Sequence, residues 1–312
     1  MLGIVILNYQ TWEISLRCMQ SIADTKQDLA CRIYLVDNAS KASMPENIRQ
    51  YIAEHEKEIC FIQSPENRGY AAGNNIGIKR ALEDGCDTLV ITNNDIVFCK
   101  DSLQNFIKAF EKHKEVGIIG PKVVDSNGNF QRSRCSMKTG MKEIFQIYTL
   151  AKFFCKKKFR AYYCLDQNPD QESYTYHVSG CCFAITAECA KVITPLDEGT
   201  MLYYEEPIIG IRMEEAGFKT WYEPKGVVVH KHGATTDGVE PFMFQCICES
   251  ELYYCSKYLH AKKWQLGLLL HYRNILYRIR SRTDIRLREY YKTYRKATKC
   301  AYERAKECPN LR

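Results

Sequence analysis

The sequence predicts an α/β protein with a mainly parallel, doubly wound sheet flanked by helices, and with a helical basic extension at the C-terminus. Short apolar runs alternate with helix-compatible segments along the first 120 residues, which is the pattern of βαβ units. The predicted strands end in polar residues, and open α/β sheets bind their ligands just beyond such ends. From Lys257 onwards there are 16 Lys and Arg but only 4 Asp and Glu, so the basic charge belongs to the tail.

Residues 1–120 are predicted to form a nucleotide-binding half. Its strands are expected over four apolar runs, at 3–9, 32–38, 59–63 and 88–92. Each run has the length and the apolar content of a buried parallel strand. The periodicity between and after these runs predicts helices at 12–23, 45–56, 71–84 and 101–114. Asp101 stands near the start of the last helix, where a carboxylate favours the helix dipole.

Residues 121–239 are predicted to form a second, less regular half. The stretch 123–176 carries the turn signal Asp125-Ser-Asn-Gly128 and the run Lys156-Lys-Lys158, and we interpret it as loops and short elements over the crevice. Further on we expect a buried strand at 177–185, a helix at 203–217, and two short strands at 219–222 and 227–230. Gly217 would end that helix. The remainder, 240–312, is predicted to be helical.

Composition narrows the class of ligand and the redox compartment. Residues 1–256 contain 28 basic and 33 acidic residues, and this mildly acidic body argues against nucleic acid as the main ligand. The sixteen cysteines are scattered, and the sequence opens on an apolar run that predicts a strand rather than a secretory signal. We therefore expect reduced thiols in a cytoplasmic protein. The cysteines also lack the paired spacing of a zinc site.

Polar side chains follow four of the predicted strands. These tips are Asn8-Tyr9, Asp37-Asn38, the stretch 66–75 with Asn67-Arg68-Gly69 and Asn74, and Asn93-Asn94-Asp95. Asp37 can accept hydrogen bonds from a base or a ribose, while the amides both donate and accept. Gly69 and Gly73 permit close approach of the backbone to a ligand. The spacing is not a dinucleotide fingerprint, because it follows the third strand and lacks the G-x-G-x-x-G turn.

The run Thr88-Leu-Val-Ile-Thr-Asn-Asn-Asp95 ends abruptly in two amides and one carboxylate. A carboxylate in this setting suits a hard cation that carries phosphates, since Mg²⁺ and Mn²⁺ prefer oxygen ligands and keep positions open for substrate. The first hypothesis is therefore a metal and diphosphate site at Asp95. The alternative is a strand followed by an ordinary Asn/Asp turn.

Four of these segments together resemble a known family. They are Val5-Ile-Leu-Asn-Tyr9, Leu35-Val-Asp-Asn-Ala-Ser40, Asn67-Arg-Gly-Tyr-Ala-Ala-Gly-Asn-Asn75 and Asn93-Asn-Asp95. Their order resembles the family 2 glycosyltransferases of the GT-A fold, most of all the rhamnosyltransferase-like branch of bacterial surface-polysaccharide biosynthesis. The likeness covers residues 3–236. It implies a catalytic domain at 1–239, whose second half binds the acceptor, and inverting transfer of a sugar from a nucleoside diphosphate donor, dTDP or UDP.

The resemblance assigns a donor site and a metal site. The residues it implies for the nucleotide sugar are Asn8, Tyr9, Asp37, Asn38, Asn67, Arg68, Gly69, Asn74 and Asn94. Asp95 matches the last acid of the family's D-x-D motif and would hold Mn²⁺ or Mg²⁺, while Asn93 replaces the first acid. His230 matches the family's histidine near the metal, and neutral imidazole suits Mn²⁺ better than Mg²⁺. It opens the stretch His230-Lys-His232-Gly-Ala-Thr-Thr236.

An inverting transfer also needs a base that takes the proton of the acceptor hydroxyl, and a carboxylate within reach suffices. Tyr203-Tyr-Glu-Glu-Pro207 resembles the family's Glu-Asp motif. Glu206 falls where the family places its catalytic Asp, with Glu205 beside it and Arg212 matching the arginine that follows. Without the resemblance these would be acids at a helix start. The strand around Ser179-Gly-Cys-Cys182 matches the one that lines the acceptor side.

The segment 264–279 is too short an apolar run to span a bilayer. At helical spacing Leu268, Tyr272, Ile275 and Ile279 share one face, while Arg273 and Arg280 lie away from it. We therefore expect a basic amphipathic helix that contacts an anionic membrane, with the protein peripheral on the inner face of the plasma membrane. The alternative is packing on the body of the protein or on a second copy, as a homodimer. The acceptor would be a glycan or a lipid-linked glycan.

Two other functions stay open at this stage. A sugar nucleotidyltransferase also has a parallel nucleotide-binding sheet, but it needs a Gly-rich, basic loop after strand one, and Asn8-Tyr-Gln-Thr-Trp12 offers neither. A nucleotide-sugar or carbohydrate binding protein without catalytic activity would tolerate Asn93 and Glu206 in place of the family's acids.

Overall fold

A mixed β-sheet runs through the computed structural model of the chain, which describes residues 1–231 and 240–307. The strands described are, in order, β1 (Leu2–Asn8), β2 (Cys31–Asp37), β3 (Ile59–Gln63), β4 (Thr88–Asn93), β5 (Ile96–Phe98), β6 (Val116–Val124), β7 (Arg134–Cys135), β8 (Ser173–Thr175), β9 (His177–Val178), β10 (Cys182–Thr186) and β11 (Lys219–His230). The four strands expected in the first half lie within about one residue of their predicted bounds, the usual uncertainty of strand and helix ends.

Helices cover the sheet and form the C-terminal extension. They are α1 (Trp12–Thr25), α2 (Glu46–Glu54), α3 (Tyr70–Glu83), α4 (Ser102–Lys112), α5 (Met141–Ile147), α6 (Lys156–Tyr162), α7 (Ala187–Ile193), α8 (Glu205–Glu215), α9 (Glu240–Lys257), α10 (Lys263–Arg280) and α11 (Ile285–Glu307). A 3₁₀ turn lies at Leu150–Phe153. Asp101 precedes α4 in a left-handed conformation and does not cap it with its side chain.

The sheet order brings the predicted polar tips to one edge. The strands are arranged β3-β2-β1-β4-β10-β6-β11-β5, with β8 paired to β11. Strand β1 is parallel to both β2 and β4, and β2 is parallel to β3. The carboxyl ends of these four strands therefore meet at the same edge, where a doubly wound sheet binds ligands. The predicted α/β class is confirmed, with antiparallel strand β10 inserted between β4 and β6.

Alternation along the strands separates two hydrophobic layers. In β1, Ile4 and Ile6 belong to the layer under α1, α2 and α4, whereas Val5 belongs to the layer under α3, α7 and α8. Side chains of a strand point alternately to opposite faces, so one buried strand serves both layers. The all-apolar strands of the first half are therefore explained by a sheet covered on both sides.

Two strand predictions in the second half were wrong. The expected strand 177–185 is split into β9 and β10, because residues 179–181 leave the ladder and turn their backbone towards α8 and β4. The two strands expected at 219–222 and 227–230 are one strand, β11, whose register shifts between Glu223 and Val227. Pro224 cannot donate to a ladder, but the chain bulges around it and pairing with β6 resumes.

The described cysteines form no disulfide bonds. All those in the described residues are free thiols, as expected for a reduced chain, and most are buried. The adjacent Cys181 and Cys182 lie next to β4 and β10, and burial raises the pKa of both thiols well above the usual range. Buried neutral thiols of this kind pack as small apolar groups.

The C-terminal extension is helical, as predicted, and it packs on the rest of the chain. Helices α9, α10 and α11 bury Leu252, Leu269 and Tyr294 in one cluster that also contains Ile208 of α8 and Ile144 of α5. Among the described residues, no helix combines the length and the apolar character needed to cross a bilayer. The extension therefore shares a hydrophobic core with the helix that carries the two predicted catalytic acids.

A buried ion pair joins α9 to α10. Arg273 donates to Glu251 through Nε (2.8 Å) and a terminal nitrogen (2.6 Å), and Glu251 is only 1% exposed. Tyr204, just before α8, donates its hydroxyl to the same carboxylate at 2.8 Å. The expectation that Arg273 belongs to a solvent-facing basic surface is thus wrong, because the buried carboxylate draws its guanidinium inwards.

Replacing Arg273 by leucine should lower the free energy of unfolding by about 3–5 kcal/mol, because it leaves the buried Glu251 carboxylate without its counter-charge. Urea titration followed by circular dichroism measures the change. The double variant Glu251→Leu/Arg273→Leu should recover most of the loss. Arg49→Leu breaks an exposed pair with Glu46 and should change stability by less than about 1 kcal/mol. A single variant as stable as the parent chain would contradict the prediction.

Candidate functional site

The tips of β1 and β2 are held together by Asn8 and Asp37. The Asn8 amide donates to Asp37 Oδ1 at 2.7 Å, and Ser40 donates to the same oxygen. The other oxygen accepts from the Ser40 backbone N–H (3.1 Å) and from Gln63 (2.8 Å). Asp37 is 1% exposed, and four donors already occupy the positions a carboxylate offers. A direct contact of Asp37 with base or ribose would replace one of these bonds, and it stays a prediction.

Asn94 fixes the tip of β4 to the start of α1. Its amide nitrogen donates to Thr11 Oγ1 at 2.7 Å and to Ser15 Oγ at 2.8 Å, and it lies 3.3 Å from Asn8 Oδ1. The side chain is buried. The structure thus brings Asn8, Asp37 and Asn94 into one connected network, as expected from their places at neighbouring strand ends.

The second and third tips, which follow β2 and β3, carry unsatisfied acceptors. The Asn38 amide donates to Asn67 Oδ1 (3.0 Å) and to the Gly69 carbonyl (3.2 Å), while its own Oδ1 is buried without a partner. Asn74 donates to the Tyr70 carbonyl at 3.0 Å and also has a buried, unpartnered Oδ1. Buried polar atoms are nearly always bonded. These two oxygens are therefore suited to meet donors of a ligand.

One residue of the predicted donor set, Arg68, is turned away from the strand tips. Arg68 is turned outwards to Glu198, with 2.9 Å between Nη2 and Oε2, beside a separate cavity of about 650 Å³ between α3 and the loop after α7. Tyr9 is exposed at the tip of β1. Gly69 is where expected and adopts φ +97°, and a Cβ there would come within 2.5 Å of the Met201 carbonyl oxygen.

Asp95 follows β4 and faces His230 at the end of β11. The distance between Asp95 Oδ2 and His230 Nε2 is 3.3 Å; the Asp95 side chain is buried, and the His230 side chain is 12% exposed. The second ring nitrogen, Nδ1, lies 3.3 Å from Gln131 Oε1, and the Gln131 amide donates to the His230 carbonyl at 3.2 Å. A group that holds the second nitrogen of a histidine fixes its tautomer and ring orientation, so Gln131 orients His230 towards Asp95.

These residues fit a divalent cation. Asp95 Oδ1 is buried and has no partner in the structure, which leaves one carboxylate oxygen to bind a metal beside an imidazole. Among the described residues, no three His, Cys, Asp or Glu side chains gather to hold a metal ion. The site would therefore provide two protein ligands and need oxygens from water or substrate. The predicted stretch His232–Thr236 lies outside the described residues.

Glu206 lies in the first turn of α8 and is held by the loop between β9 and β10. The Gly180 backbone N–H donates to Glu206 Oε1 at 3.1 Å. A Cβ at position 180 would approach that oxygen to 3.2 Å, so glycine permits the close contact. Tyr70 donates its hydroxyl to the Gly180 carbonyl and so fixes the loop from the side of α3.

Glu205 is more deeply buried than Glu206. Thr200 donates its hydroxyl to Glu205 Oε1 at 2.9 Å. Burial, and then the charge of Glu206, raise the pKa of the Glu205 carboxyl well above its usual range. Two neighbouring carboxylates of which one is kept protonated by its surroundings are typical of sites that divide acid and base roles.

The backbone before these acids is strained. Tyr203 and Tyr204 both adopt positive φ, +73° and +72°, which costs of order 1–3 kcal/mol for each such residue. The Tyr204 ring packs between Tyr148 and Tyr254, and its hydroxyl is bonded to Glu251. The C-terminal extension therefore holds the turn that presents Glu205 and Glu206.

The structure does not bring Arg212 to these acids. One terminal nitrogen donates to the carbonyls of Ile193 and Pro195, and the other lies 4.0 Å from Asp197. Asp197 is also bonded to Lys257 of α9 at 2.8 Å. Arg212 thus supports the loop after α7, and any catalytic role for it stays a prediction.

The loop at residues 179–181 links the Asp95 side of the site to the Glu206 side. The Asn93 N–H donates to the Cys181 carbonyl at 2.8 Å, and the next residue back, Gly180, donates to Glu206. Burial raises the pKa of the Cys181 thiol to about 12, and the charges of Asp95 and Glu206 contribute to the rise. The two carboxylates therefore lie on opposite sides of one short loop.

A cavity of about 400 Å³ opens at Glu206, the one acid among the described residues that line it. Its walls include Arg132, Tyr148, Lys152, Phe159, Tyr163 and His177. Burial lowers the pKa of His177 to about 4, so this imidazole is neutral near pH 7. These wall residues were missed from the sequence. The aromatic and basic composition of 144–165 could have marked the four that lie in that stretch, but no local signal marked Arg132 or His177. Aromatic rings with a few polar groups are typical of ligand cavities.

Comparisons with known proteins point to one enzyme family. The family model described as "Glycosyl transferase family 2" matches residues 3–172. The N-acetylglucosaminyl-diphospho-decaprenol L-rhamnosyltransferase of Mycobacterium tuberculosis is 22% identical over 248 residues, 76% of this chain and 78% of that protein. The low-salt glycan biosynthesis hexosyltransferase Agl10 of Haloferax volcanii is 24% identical over 209 residues, 66% of this chain and 59% of that protein.

Two solved structures share the fold at low identity. The mannosyltransferase PcManGT of Pyrobaculum calidifontis, in complex with GDP-Man and Mn²⁺, has a TM-score of 0.56 at 14% identity and covers 99% of this chain and 86% of its own. GalNAc-T7 with UDP, GalNAc and Mn²⁺ has a TM-score of 0.56 at 15% identity. That match covers 80% of this chain, which spans half the length of the GalNAc-T7 chain. These likenesses concern the fold.

Proposed function

Because the chain belongs to glycosyl transferase family 2 and is a glycosyltransferase of the GT-A fold, we propose that it transfers a sugar with inversion from a nucleoside diphosphate donor to a lipid-linked glycan. Rhamnose from a dTDP or UDP donor is the proposed sugar, supported by the sequence resemblance and by the activity named for the mycobacterial relative. The first half, 1–120, would bind the donor, and the second half, 121–239, the acceptor.

The donor would lie across the tips of β1, β2, β3 and β4. The unpartnered oxygens of Asn38 and Asn74 would accept hydrogen bonds from base or sugar. Asn8, Asp37 and Asn94 would hold the tips in place, since their side chains are already bonded to one another. Tyr9 is exposed at the same edge and could stack on the base.

Asp95 and His230 would hold a divalent metal, Mn²⁺ or Mg²⁺, with water and the donor diphosphate completing the shell. Support comes from the unpartnered Asp95 Oδ1 and from the Mn²⁺ present in both solved structures that share the fold. When bound, such a metal supplies positive charge that stabilises the leaving diphosphate. Gln131 would keep the His230 ring oriented for this contact.

The observation that carries the proposal is the placement of Glu206. Among the described residues it is the one acid lining the cavity, and the loop that holds it also contacts the tip of β4 that carries Asp95. Glu206 would take the proton of an acceptor hydroxyl as that oxygen bonds to the anomeric carbon. The bond from that carbon to the diphosphate oxygen breaks, and its electron pair leaves with the nucleoside diphosphate.

Glu205 and Arg212 would support this step without touching the substrate. A protonated Glu205 does not compete with Glu206 for the proton of the acceptor hydroxyl. Arg212 would keep the loop that ends at Asp197 against α8 and α9. A lipid-linked acceptor would place the enzyme in the cytoplasm, peripheral on the inner face of the plasma membrane. The homodimer considered from the sequence stays a prediction.

A donor screen tests the proposal. Purified protein with Mn²⁺ is incubated with UDP-, dTDP- and GDP-sugars and a lipid-diphosphate glycan acceptor, and released nucleoside diphosphate is measured. We expect release from one donor that depends on acceptor. Binding of donors without any release would favour the inactive binding protein, and pyrophosphate release from a nucleoside triphosphate with a sugar phosphate would favour the nucleotidyltransferase. Either outcome contradicts the proposed reaction.

A further inference from the structure

The outer face of α10 is apolar and uncovered among the described residues. Trp264 is 65% exposed, and Leu268, Ile275 and Ile279 are between 42% and 52% exposed. Their spacing of four, seven and four residues places them on one side of the helix. The opposite side, with Leu269 and Tyr277, is buried in the cluster shared with α9 and α11. Helix α10 therefore has two apolar faces, of which one is buried against α9 and α11 and the other is exposed.

A second exposed apolar segment adjoins this face. The Leu150 N–H donates to the hydroxyl of Tyr272, which lies along the same side of α10, at 2.8 Å. Leu150 opens the 3₁₀ turn that continues to Phe153 and Phe154, and Phe154 is 93% exposed. We call Leu150, Phe153, Phe154, Trp264, Leu268, Ile275 and Ile279 together the docking face. Large apolar side chains that are exposed together on neighbouring segments are typical of an interaction site.

The charge around the docking face is mainly positive, although three of the cations have carboxylate partners: Lys158 with Glu143, Arg160 with Asp166 and Arg273 with Glu251. Residues 144–165 contain five Lys and Arg and no Asp or Glu, and residues 259–283 contain six Lys and Arg and again no acid. Lys156 and Lys157 are exposed, next to Phe154 in the chain. An apolar face set among cations is complementary to a surface that is anionic outside and apolar beneath.

The docking face also borders the cavity that contains Glu206. Lys152, within the 3₁₀ turn, and Arg273, on α10, both contribute to the lining of that cavity. Neither the Lys152 ammonium nor the Arg132 guanidinium at the same cavity forms an ion pair with a carboxylate of the described residues; each lies instead near an aromatic ring. A ligand that reaches Glu206 from the docking face would pass these cations.

We propose that the docking face binds an anionic lipid bilayer, so that the mouth of the cavity that contains Glu206 faces the membrane surface. The proposal rests on the proposed function, because it explains how a lipid-linked acceptor reaches the base. The aromatic and aliphatic side chains enter the boundary between headgroups and acyl chains, and the surrounding lysines and arginines contact lipid phosphates. A second copy of the chain is a poorer occupant, because a two-fold contact would bring the exposed lysines of the two copies, Lys156 and Lys157 among them, face to face.

Vesicle sedimentation of the full chain tests the docking face. We expect binding to phosphatidylcholine vesicles that contain phosphatidylglycerol, little binding to phosphatidylcholine alone, and weaker binding at high salt. Phe153→Ser/Phe154→Ser and Leu268→Ser/Ile275→Ser should each weaken binding roughly tenfold or more. Val192→Ser removes an equally exposed side chain on α7, 60% exposed, and should leave binding unchanged. All these positions are exposed, so circular dichroism should show an intact fold.

Three outcomes would overturn the inference. One is absence of binding to the anionic vesicles. Another is equal binding by the docking-face variants and the parent chain. The third is a parent chain that sediments as a dimer and becomes a monomer in the Leu268→Ser/Ile275→Ser variant. Turnover with a soluble acceptor without lipid separates this inference from the reaction itself: docking-face variants should keep it, and a chain that binds vesicles but releases no nucleotide would refute only the proposed function.

Discussion

Replacing Glu206 by glutamine is expected to lower kcat by about 10²–10⁴-fold, the usual contribution of a positioned general base. Glutamine keeps the shape of the side chain, and its oxygen can still accept from the Gly180 N–H that now holds Glu206 at 3.1 Å. It cannot take a proton at neutral pH. Turnover is measured by release of nucleoside diphosphate, and donor affinity by calorimetry, which should stay close to that of the parent enzyme.

Glu215→Gln provides a matched control for this prediction. Glu215 is exposed at the far end of the same helix, α8, and its replacement should change kcat by less than about twofold, as expected for a surface site. If Glu206→Gln keeps full turnover while Glu205→Gln abolishes it, the base is Glu205. If both variants keep full turnover, neither acid of this pair is the base.

Replacing Asp95 by asparagine is expected to lower kcat about a thousandfold at fixed Mn²⁺, since a metal at the leaving group is worth several kcal/mol in the transition state. The variant removes the negative charge that faces His230 and replaces one of the two carboxylate oxygens by an amide nitrogen, which does not bind a metal. Activity measured against Mn²⁺ concentration should also shift to higher metal concentration. This shift separates loss of a metal ligand from general damage to the site.

Asp24→Asn is the matched control for Asp95. Asp24 is exposed on α1, so its replacement should leave both kcat and the dependence on Mn²⁺ unchanged. An Asp95→Asn variant whose turnover falls while its Mn²⁺ dependence stays that of the parent enzyme would assign Asp95 a role other than metal binding. Full turnover in that variant would remove Asp95 from the reaction altogether.

The nucleotide-binding half could be predicted because its signals are local. An apolar run that ends in Asn or Asp marks both a buried strand and its carboxyl end, and parallel pairing of β1 with β2 and β4 then brings Asn8, Asp37 and Asn94 together. Recognition of each strand and of its polar end needs no distant partner. This explains why the strand bounds of the first half are nearly those observed.

The second half depends on partners far apart in the chain. Gln131 and His230 are separated by 99 residues, and no local pattern indicates that one orients the other. The split between β9 and β10 follows from contacts that Gly180 and Cys181 make with α8 and β4. The periodicity of α10 showed an apolar stripe and an arginine opposite to it, but periodicity alone does not say which side is covered. Glu251 on α9 decides this, because it takes Arg273 into the interior.

The Glu251 carboxylate also connects the C-terminal extension to the half of the chain that ends at residue 239. Tyr204 stands two residues before Glu206 in the chain, yet its hydroxyl is held by a carboxylate of α9 that is itself held by α10. Consider a chimera in which the C-terminal extension comes from a relative and residues 1–239 from this chain. It would keep every proposed catalytic side chain, but it would lose the contact that supports the turn before α8. Activity therefore depends on the three bonded residues at positions 204, 251 and 273. We expect these positions to covary among natural relatives.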